Sequence, residues 1–245
     1  MTGKPPVSGL FLDALRLTKS AEQNRREADY LETLLDLPHA ARLLDVPCGG
    51  GRLALEFAAR GHHVTGVDLA QPLLDHAHHT AAERGLIDSL AFHQRDMRDL
   101  PWTNAFDGAY CFWESFGTLD DAGNRAFLDA VRAALKRGAR FVFDTHIAET
   151  LLPRLGARHW EQVSDELLSL EQSNYDHTSG TITRQMIFVR AGVVERHTLT
   201  FRLYTYRELV ALVTSAGFAA CDDYAWLSQM PFHMNAPRLV LAATK

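Results

Sequence analysis

From Arg42 to Ala58 the chain reads Arg42-Leu43-Leu44-Asp45-Val46-Pro47-Cys48-Gly49-Gly50-Gly51-Arg52-Leu53-Ala54-Leu55-Glu56-Phe57-Ala58. A short apolar run ends in a glycine cluster, and helical spacing begins straight after it. That is the pattern of strand, tight turn and helix. Its physical use is close approach. Glycines carry no Cβ, so a ligand can press against the backbone, and a helix N-terminus presents unpaired N–H groups.

Two further strands end in acids. His63-Val64-Thr65-Gly66-Val67-Asp68 closes on Asp68, within the roughly 20-residue distance at which a nucleotide-binding fold places a ribose-binding carboxylate. Leu90-Ala91-Phe92-His93-Gln94-Arg95-Asp96 closes on Asp96. Three successive strands thus deliver an acid to the carboxyl edge, where open α/β sheets bind ligands.

Strand and helix patterns alternate through this region. Strands are expected over Arg42–Val46, His63–Val67, Leu90–Arg95, Gly108–Phe112 and Arg140–Asp144. Helices are expected over Arg52–Arg60, Gln71–Arg84 and Ala122–Lys136, ended by Gly61, Gly85 and Gly138. That alternation predicts a parallel sheet with helices on both faces. Upstream, Leu10, Leu15 and Leu17 have helical spacing, and Glu22–Leu37 reads as a longer helix after an N-cap at Ser20.

From Leu151 the period shortens. Trp160–Val163, Leu167–Tyr175, Thr181–Arg190 and Val193–Tyr204 are rich in β-branched and aromatic residues, with turn signals between them. They predict an antiparallel meander lying over the carboxyl edge. Thr205 and Glu208 form a capping-box pattern for a helix through Ala216. Phe218–Trp226 and Arg238–Thr244 are two last strands with too little chain between them for a crossover helix, so they should be antiparallel neighbours. The expected fold is α/β: a doubly wound, seven-stranded, mostly parallel sheet with a C-terminal antiparallel hairpin and an inserted β meander. The expected organisation is N-terminal helices over 1–40, acting as packing or lid, a Rossmann-like unit over 41–146 and 205–245, and an inserted subdomain over 147–204.

The 245 residues carry a formal charge of −5, dispersed, with no Lys/Arg-rich block. That does not favour a nucleic-acid partner. Cys48, Cys111 and Cys221 are odd in number and far apart, which fits neither a disulfide framework nor metal spacing. Lys4-Pro5-Pro6 is not followed by the apolar core of a signal peptide, and no run is long enough to span a bilayer. A cytoplasmic protein without membrane association follows as the expectation, as monomer or homodimer. His76, His78 and His79 read as a solvated helix face, because no acid–histidine pattern completes a metal site.

Asp45-Val46-Pro47-Cys48-Gly49-Gly50-Gly51-Arg52 resembles the first motif of the class I S-adenosylmethionine-dependent methyltransferases. Asp68, Asp96-Met97, Phe106-Asp107-Gly108-Ala109-Tyr110-Cys111-Phe112 and Leu135–Asp144 are similar to the family's later motifs, in order. The likeness runs from about Leu31 to Asp144 and resumes over Tyr206–Lys245, and it is nearest to bacterial small-molecule methyltransferases. Pro47 stands where the family often has Gly or Ala, and it removes one N–H donor. Glu114 stands where close relatives often carry Asn.

The resemblance implies S-adenosylmethionine as cofactor and methyl transfer to an N or O atom of a small molecule by in-line displacement. Its loop, Pro47, Cys48, Gly49, Gly51 and Arg52, would hold the methionine portion, and Asp45 the amino group. Asp68 would take the ribose diol, Leu69 would cover one face of the adenine, Asp96 would receive its amine, and Met97 would pack nearby. Phe112 and Trp113 would border the sulfonium. On the substrate side the candidates are weaker. His146 and Glu114 are placed for catalysis, and Trp160, Tyr175, Arg184, Tyr204 and His233 for the substrate, with Ser115 and Arg202 nearby. Gly49–Ala54 also satisfies G-x-G-x-x-A. An NAD(P)-dependent oxidoreductase therefore stays open as an alternative, as does a non-catalytic binder of an adenosyl cofactor.

Overall fold

Leu43 and Leu44 are both fully buried, each in a different core cluster, because neighbouring strand residues point to opposite faces of one central sheet. The computed structural model describes residues 9–17, 19–156 and 158–245, with the backbone alone for residues 16 and 17. The segment Lys4–Pro6 and the side chain of Leu17 lie outside the described residues.

Two helices open the chain, α1 (Gly9–Leu17) and α2 (Ala21–Leu35). The core then alternates: β1 (Arg42–Asp45), α3 (Arg52–Ala59), β2 (His63–Asp68), α4 (Gln71–Glu83), β3 (Leu90–Gln94), β4 (Phe106–Cys111), α5 (Asp121–Ala134) and β5 (Leu135–Thr145). After a short α6 (Ala148–Leu151) come β6 (His159–Gln162), β7 (Leu168–Asp176), β8 (Thr181–Arg190) and β9 (Val193–Arg202). The chain closes with α7 (Tyr206–Ser215), β10 (Ala220–Ala225) and β11 (Leu239–Thr244).

The seven-stranded sheet has the order β10-β11-β5-β4-β1-β2-β3. β11 runs antiparallel to both β10 and β5, and the other pairs are parallel. One face packs on α5 and α7 through Phe127, Val131 and Leu209. The other packs on α2, α3 and α4 through Leu31, Phe57 and Leu74. β6–β9 form a separate antiparallel sheet in chain order.

Side-chain caps set the start of three helices. Ser20 accepts Gln23 N–H ahead of α2, Asp120 accepts Gly123 N–H ahead of α5, and Thr205 and Glu208 cap α7 reciprocally. The fifth crossover differs from expectation. α5 stops at Ala134 and Leu135 already belongs to β5, so Gly138 does not end a helix. It sits within β5 at φ 79°, beside a register shift against β4. α1 differs too. It buries Leu10, Phe11 and Ala14, and Leu15 is exposed. Its partners are Leu167, Met186 and Phe188 of the inserted-sheet region, so this helix packs there and not on the parallel sheet. Asp13 pairs with Arg190 at 2.6 Å, which ties it down.

Candidate functional site

The glycine turn is shaped from both sides. Gly51 has φ 73°, and a Cβ there would meet Ala77 at 2.9 Å and Phe92 at 3.0 Å, so α4 and β3 demand glycine. Gly49 has φ 55°, but a Cβ there would meet nothing within 4 Å. One glycine serves packing, and the other faces open space. The Val46–Pro47 peptide is cis.

The acids at the strand ends are placed differently from one another. Asp68 accepts Gly49 N–H at 2.9 Å and Ala70 N–H at 2.8 Å, which locks the second strand end to the turn. Asp45 is buried, and that burial pushes its carboxyl up to about 8 against the pull of Arg52. Asp96 is engaged by Arg98, whose Nε and Nη2 donate at 2.9 and 2.6 Å. Leu69 is 54% exposed beside Asp68, while Met97, Phe112 and Cys48 are buried. Burial holds the Cys48 thiol well above its usual range, which makes it a packing group.

Beyond β4 the chain enters an uncommon conformation. Trp113 and Glu114 have φ 76° and 57°, two consecutive left-handed residues without glycine. Asp144, fully buried at the end of β5, accepts Trp113 N–H at 2.5 Å and Glu114 N–H at 3.3 Å. Arg238 donates to Asp144 at 2.6 Å and lies 3.4 Å from Glu114. Its guanidinium sits 3.5 Å over the Trp226 ring and 4.6 Å from that of Trp113. Burial lifts Asp144 to about 6, with Arg238 opposing that rise.

Glu114 and His146, expected to serve catalysis, are brought together. His146 Nε2 lies 3.2 Å from Glu114 Oε1. Burial alone would raise the Glu114 carboxyl, but His146, Arg238 and Arg184 pull it down to about 2. His146 Nδ1 is buried and has no hydrogen-bond partner. Arg184 reaches this site from the inserted sheet, on the same face as Tyr175.

Several expected substrate residues lie elsewhere. Tyr204 is buried, donates to Asp121 at 2.8 Å and accepts from Asn124 at 3.0 Å, so its hydroxyl is used at the start of α5. Arg202 is taken up by Asp121, Glu208 and main-chain carbonyls. Trp160 is 67% exposed and pairs with Leu170, on the face opposite Arg184. There it lines a groove of about 640 Å³ with Gln172, Gln185 and Arg196, none of which belongs to the turn or the Glu114–His146 pair. His233 is exposed in the loop between β10 and β11, and Ser115 contributes only a carbonyl, to Thr118.

The sequence reading missed Arg238, Asp144, Glu27 and Lys19 as site residues. Glu27 is 0% exposed, accepts from Arg52 at 2.6 Å and accepts the Trp113 indole N–H at 2.7 Å. Lys19 Nζ lies 3.2 Å from the Trp113 ring, and burial lowers its ammonium from the usual lysine range. Two signals were present in the sequence. Asp144 is a fourth acid at a strand end, and Glu27 is an acid on the apolar face of its helix, one turn from Leu31. Among the described residues no group of three or more His, Cys, Asp or Glu could hold a metal ion, and no helix is long and apolar enough to cross a membrane.

The methyltransferase domain family model matches residues 43–138. A protein of Geobacillus sp. (strain WCH70), whose name assigns it provisionally to the methyltransferases, is 33% identical over 213 residues, covering 84% of this chain and 85% of that protein. The crystal structure of an S-adenosylmethionine-dependent methyltransferase from Clostridium acetobutylicum superposes with a TM-score of 0.80 at 19% identity, over 94% of each chain. The structure of CalS10 with S-adenosylmethionine bound, an amino pentose methyltransferase from Micromonospora echinaspora, gives a TM-score of 0.71 at 23% identity, over 99% of this chain and 100% of that one.

Proposed function

The chain belongs to the class I S-adenosylmethionine-dependent methyltransferases, and from that membership we propose that it methylates a hydroxyl or amine of a small molecule, with His146 as general base. The membership sets aside the nicotinamide oxidoreductase and the non-catalytic binder that the glycine pattern left open.

The residues present fit the cofactor. Gly49 leaves open space at the turn, and Asp68 spends one hydrogen bond on each oxygen, leaving lone pairs for a ribose diol. Leu69 offers an exposed apolar surface beside it. The turn with Arg52 and Asp45 would hold the methionine portion. Met97 and the Asp96 segment would lie at the adenine, and Phe112 and Trp113 near the sulfur. When bound, S-adenosylmethionine supplies a methyl group already activated by its positive sulfur.

The observation that carries the base assignment is the His146–Glu114 contact with an unpartnered Nδ1. A carboxylate held at about 2 is ionised at neutral pH and can only accept, so the imidazole proton belongs on Nε2, facing it. The Nδ1 lone pair is then the group that takes a proton from an attacking O–H or N–H. Glu114 orients the ring and stabilises the imidazolium that forms. A methyl acceptor without a proton to lose would need neither residue. The small-molecule amine named for CalS10 supports the same direction.

The test uses isotope-labelled S-adenosylmethionine and a panel of small hydroxyl and amine compounds. His146→Gln should lower turnover by roughly 10²–10⁴-fold on any acceptor found, with S-adenosylhomocysteine affinity kept. Unchanged turnover in that variant would remove His146 from the chemistry.

A further inference from the structure

Three buried side-chain nitrogens among the described residues have no hydrogen-bond partner: His146 Nδ1, Arg184 Nε and His197 Nδ1. Buried polar groups are normally satisfied, so each of these points either to packing strain or to a missing ligand. Two of the three belong to side chains that act on one carboxylate, since both His146 and Arg184 lower Glu114. One comes from the parallel sheet and the other from the inserted sheet, whose last strand is joined to the same corner by Arg202 N–H on Gly117 at 2.7 Å and Ala148 N–H on Tyr204 at 2.8 Å.

Arg184 lies mid-strand on β8, opposite Ser173 of β7 and Leu199 of β9. Its guanidinium carbon is 5.5 Å from the centre of the Phe201 ring. Its Nε lies 3.7 Å from Glu171, beyond hydrogen-bond range. Glu114 and Asp144, by contrast, are compensated. Glu114 has His146 and Arg238, and Asp144 has Arg238 and two main-chain amides. Arg184 therefore keeps one buried donor, its Nε–H, that no protein acceptor meets within hydrogen-bond range. A guanidinium edge matches two anionic oxygens in one plane, which a lysine in its place would not do.

We propose that Arg184 is the anion-binding arm of the substrate site, its Nε–H meeting a carboxylate or phosphate oxygen of the methyl acceptor while the nucleophile of the same molecule reaches His146 Nδ1. The proposal rests on the methyltransferase reading with His146 as base, and it adds the acceptor's charge. The inserted sheet then selects the substrate, and the parallel sheet holds the cofactor.

The test follows the Arg184 Nε–H resonance of the ¹⁵N-labelled full chain loaded with S-adenosylhomocysteine. The signal is assigned by its loss in Arg184→Lys. Sodium phosphate and sodium succinate are titrated separately, with ionic strength held constant by chloride. A saturable shift with at least one of them is expected, while the engaged Arg202 Nε–H stays still. A response to phosphate alone assigns a phosphoryl group, and a response to succinate alone assigns a carboxylate. A resonance that ignores both anions, or that shifts as strongly with chloride or glycerol, overturns the proposal. Calorimetry with S-adenosylhomocysteine separates the two levels. If the cofactor binds and the Arg184 signal is silent, only this inference falls; if it does not bind, the methyltransferase reading falls first. With an acceptor in hand, Arg184→Lys should raise KM by roughly tenfold or more, with kcat little changed. A loss confined to kcat would contradict a binding role.

Discussion

The carboxylate of Asp144 accepts the main-chain N–H of Trp113 at 2.5 Å and thereby holds a tryptophan at φ 76°. The same carboxylate reaches Glu114 N–H, at φ 57°. Left-handed backbone at non-glycine residues persists only where surrounding contacts over-determine it. Here a buried acid and Arg238 do so. They set the direction in which the Glu114 side chain leaves the strand end, and so set its approach to His146.

Asp144→Ala should therefore be severe. It frees two strained residues and leaves Arg238 buried without its main partner. Breaking such a buried pair costs about 3–5 kcal/mol. Asp144→Asn keeps an acceptor and should cost less. Urea denaturation of the two variants checks the order, and equal stability would show that Asp144 does not clamp the loop.

The glycine turn separates packing from binding. Left-handed strain costs about 1–2 kcal/mol for alanine at either Gly49 or Gly51. At Gly51 the new methyl also meets Ala77 and Phe92, and overpacking of this kind adds about 1–3 kcal/mol. Gly51→Ala should thus lose the more stability. Gly49→Ala should keep most of its stability and bind S-adenosylhomocysteine more weakly, because its methyl projects into open space. Calorimetry and denaturation run on both variants distinguish these outcomes.

Asp45 links cofactor binding to pH. With its carboxyl near 8, the free protein holds a proton there at neutral pH. A bound ammonium favours the ionised form, so binding releases that proton. Affinity for S-adenosylhomocysteine should rise with pH, approaching about tenfold per unit below pH ~8, and level off above. In the free protein the sign is reversed. Folding favours the neutral form, so that contribution to stability is full below about 3.8 and lost as pH rises through about 8. Asp45→Asn should flatten the binding profile, and a wild-type affinity independent of pH would contradict an ammonium contact at Asp45.

Glu27 fastens α2 to the site by holding both Arg52 and the Trp113 indole. Glu27→Ala should change the Trp113 fluorescence emission. It should cost less than the about 3–5 kcal/mol of a fully buried pair, since the Arg52 side chain is 26% exposed and can turn to solvent. Glu27→Gln keeps an acceptor for the indole. Emission identical to wild type in Glu27→Ala would show that the indole contact does not fix Trp113.

By itself the sequence determined the architecture. Alternating strands and helices, the caps at Ser20 and Thr205, and the short link before β11 are local signals, because hydrogen bonding and side-chain period act over a few residues. Asp68 at its strand end and the glycine turn were legible for the same reason, and so was the placing of His146 and Glu114 at neighbouring strand ends. Only the tertiary structure decided which side chains meet. β11 pairs with β5 so that Leu239 faces Thr145, and one step further Arg238 lies across from His146. β4 and β5 carry Cys111 opposite Phe143, which brings Glu114 into the same corner. Such registers come from sheet packing between segments 32 residues apart in one case and 94 in the other, which no local pattern encodes. Sequence separation likewise hid the fate of Tyr204, drawn into the core by Asp121 and Asn124, whereas Trp160 was turned to the outer face by the single-residue alternation along β6.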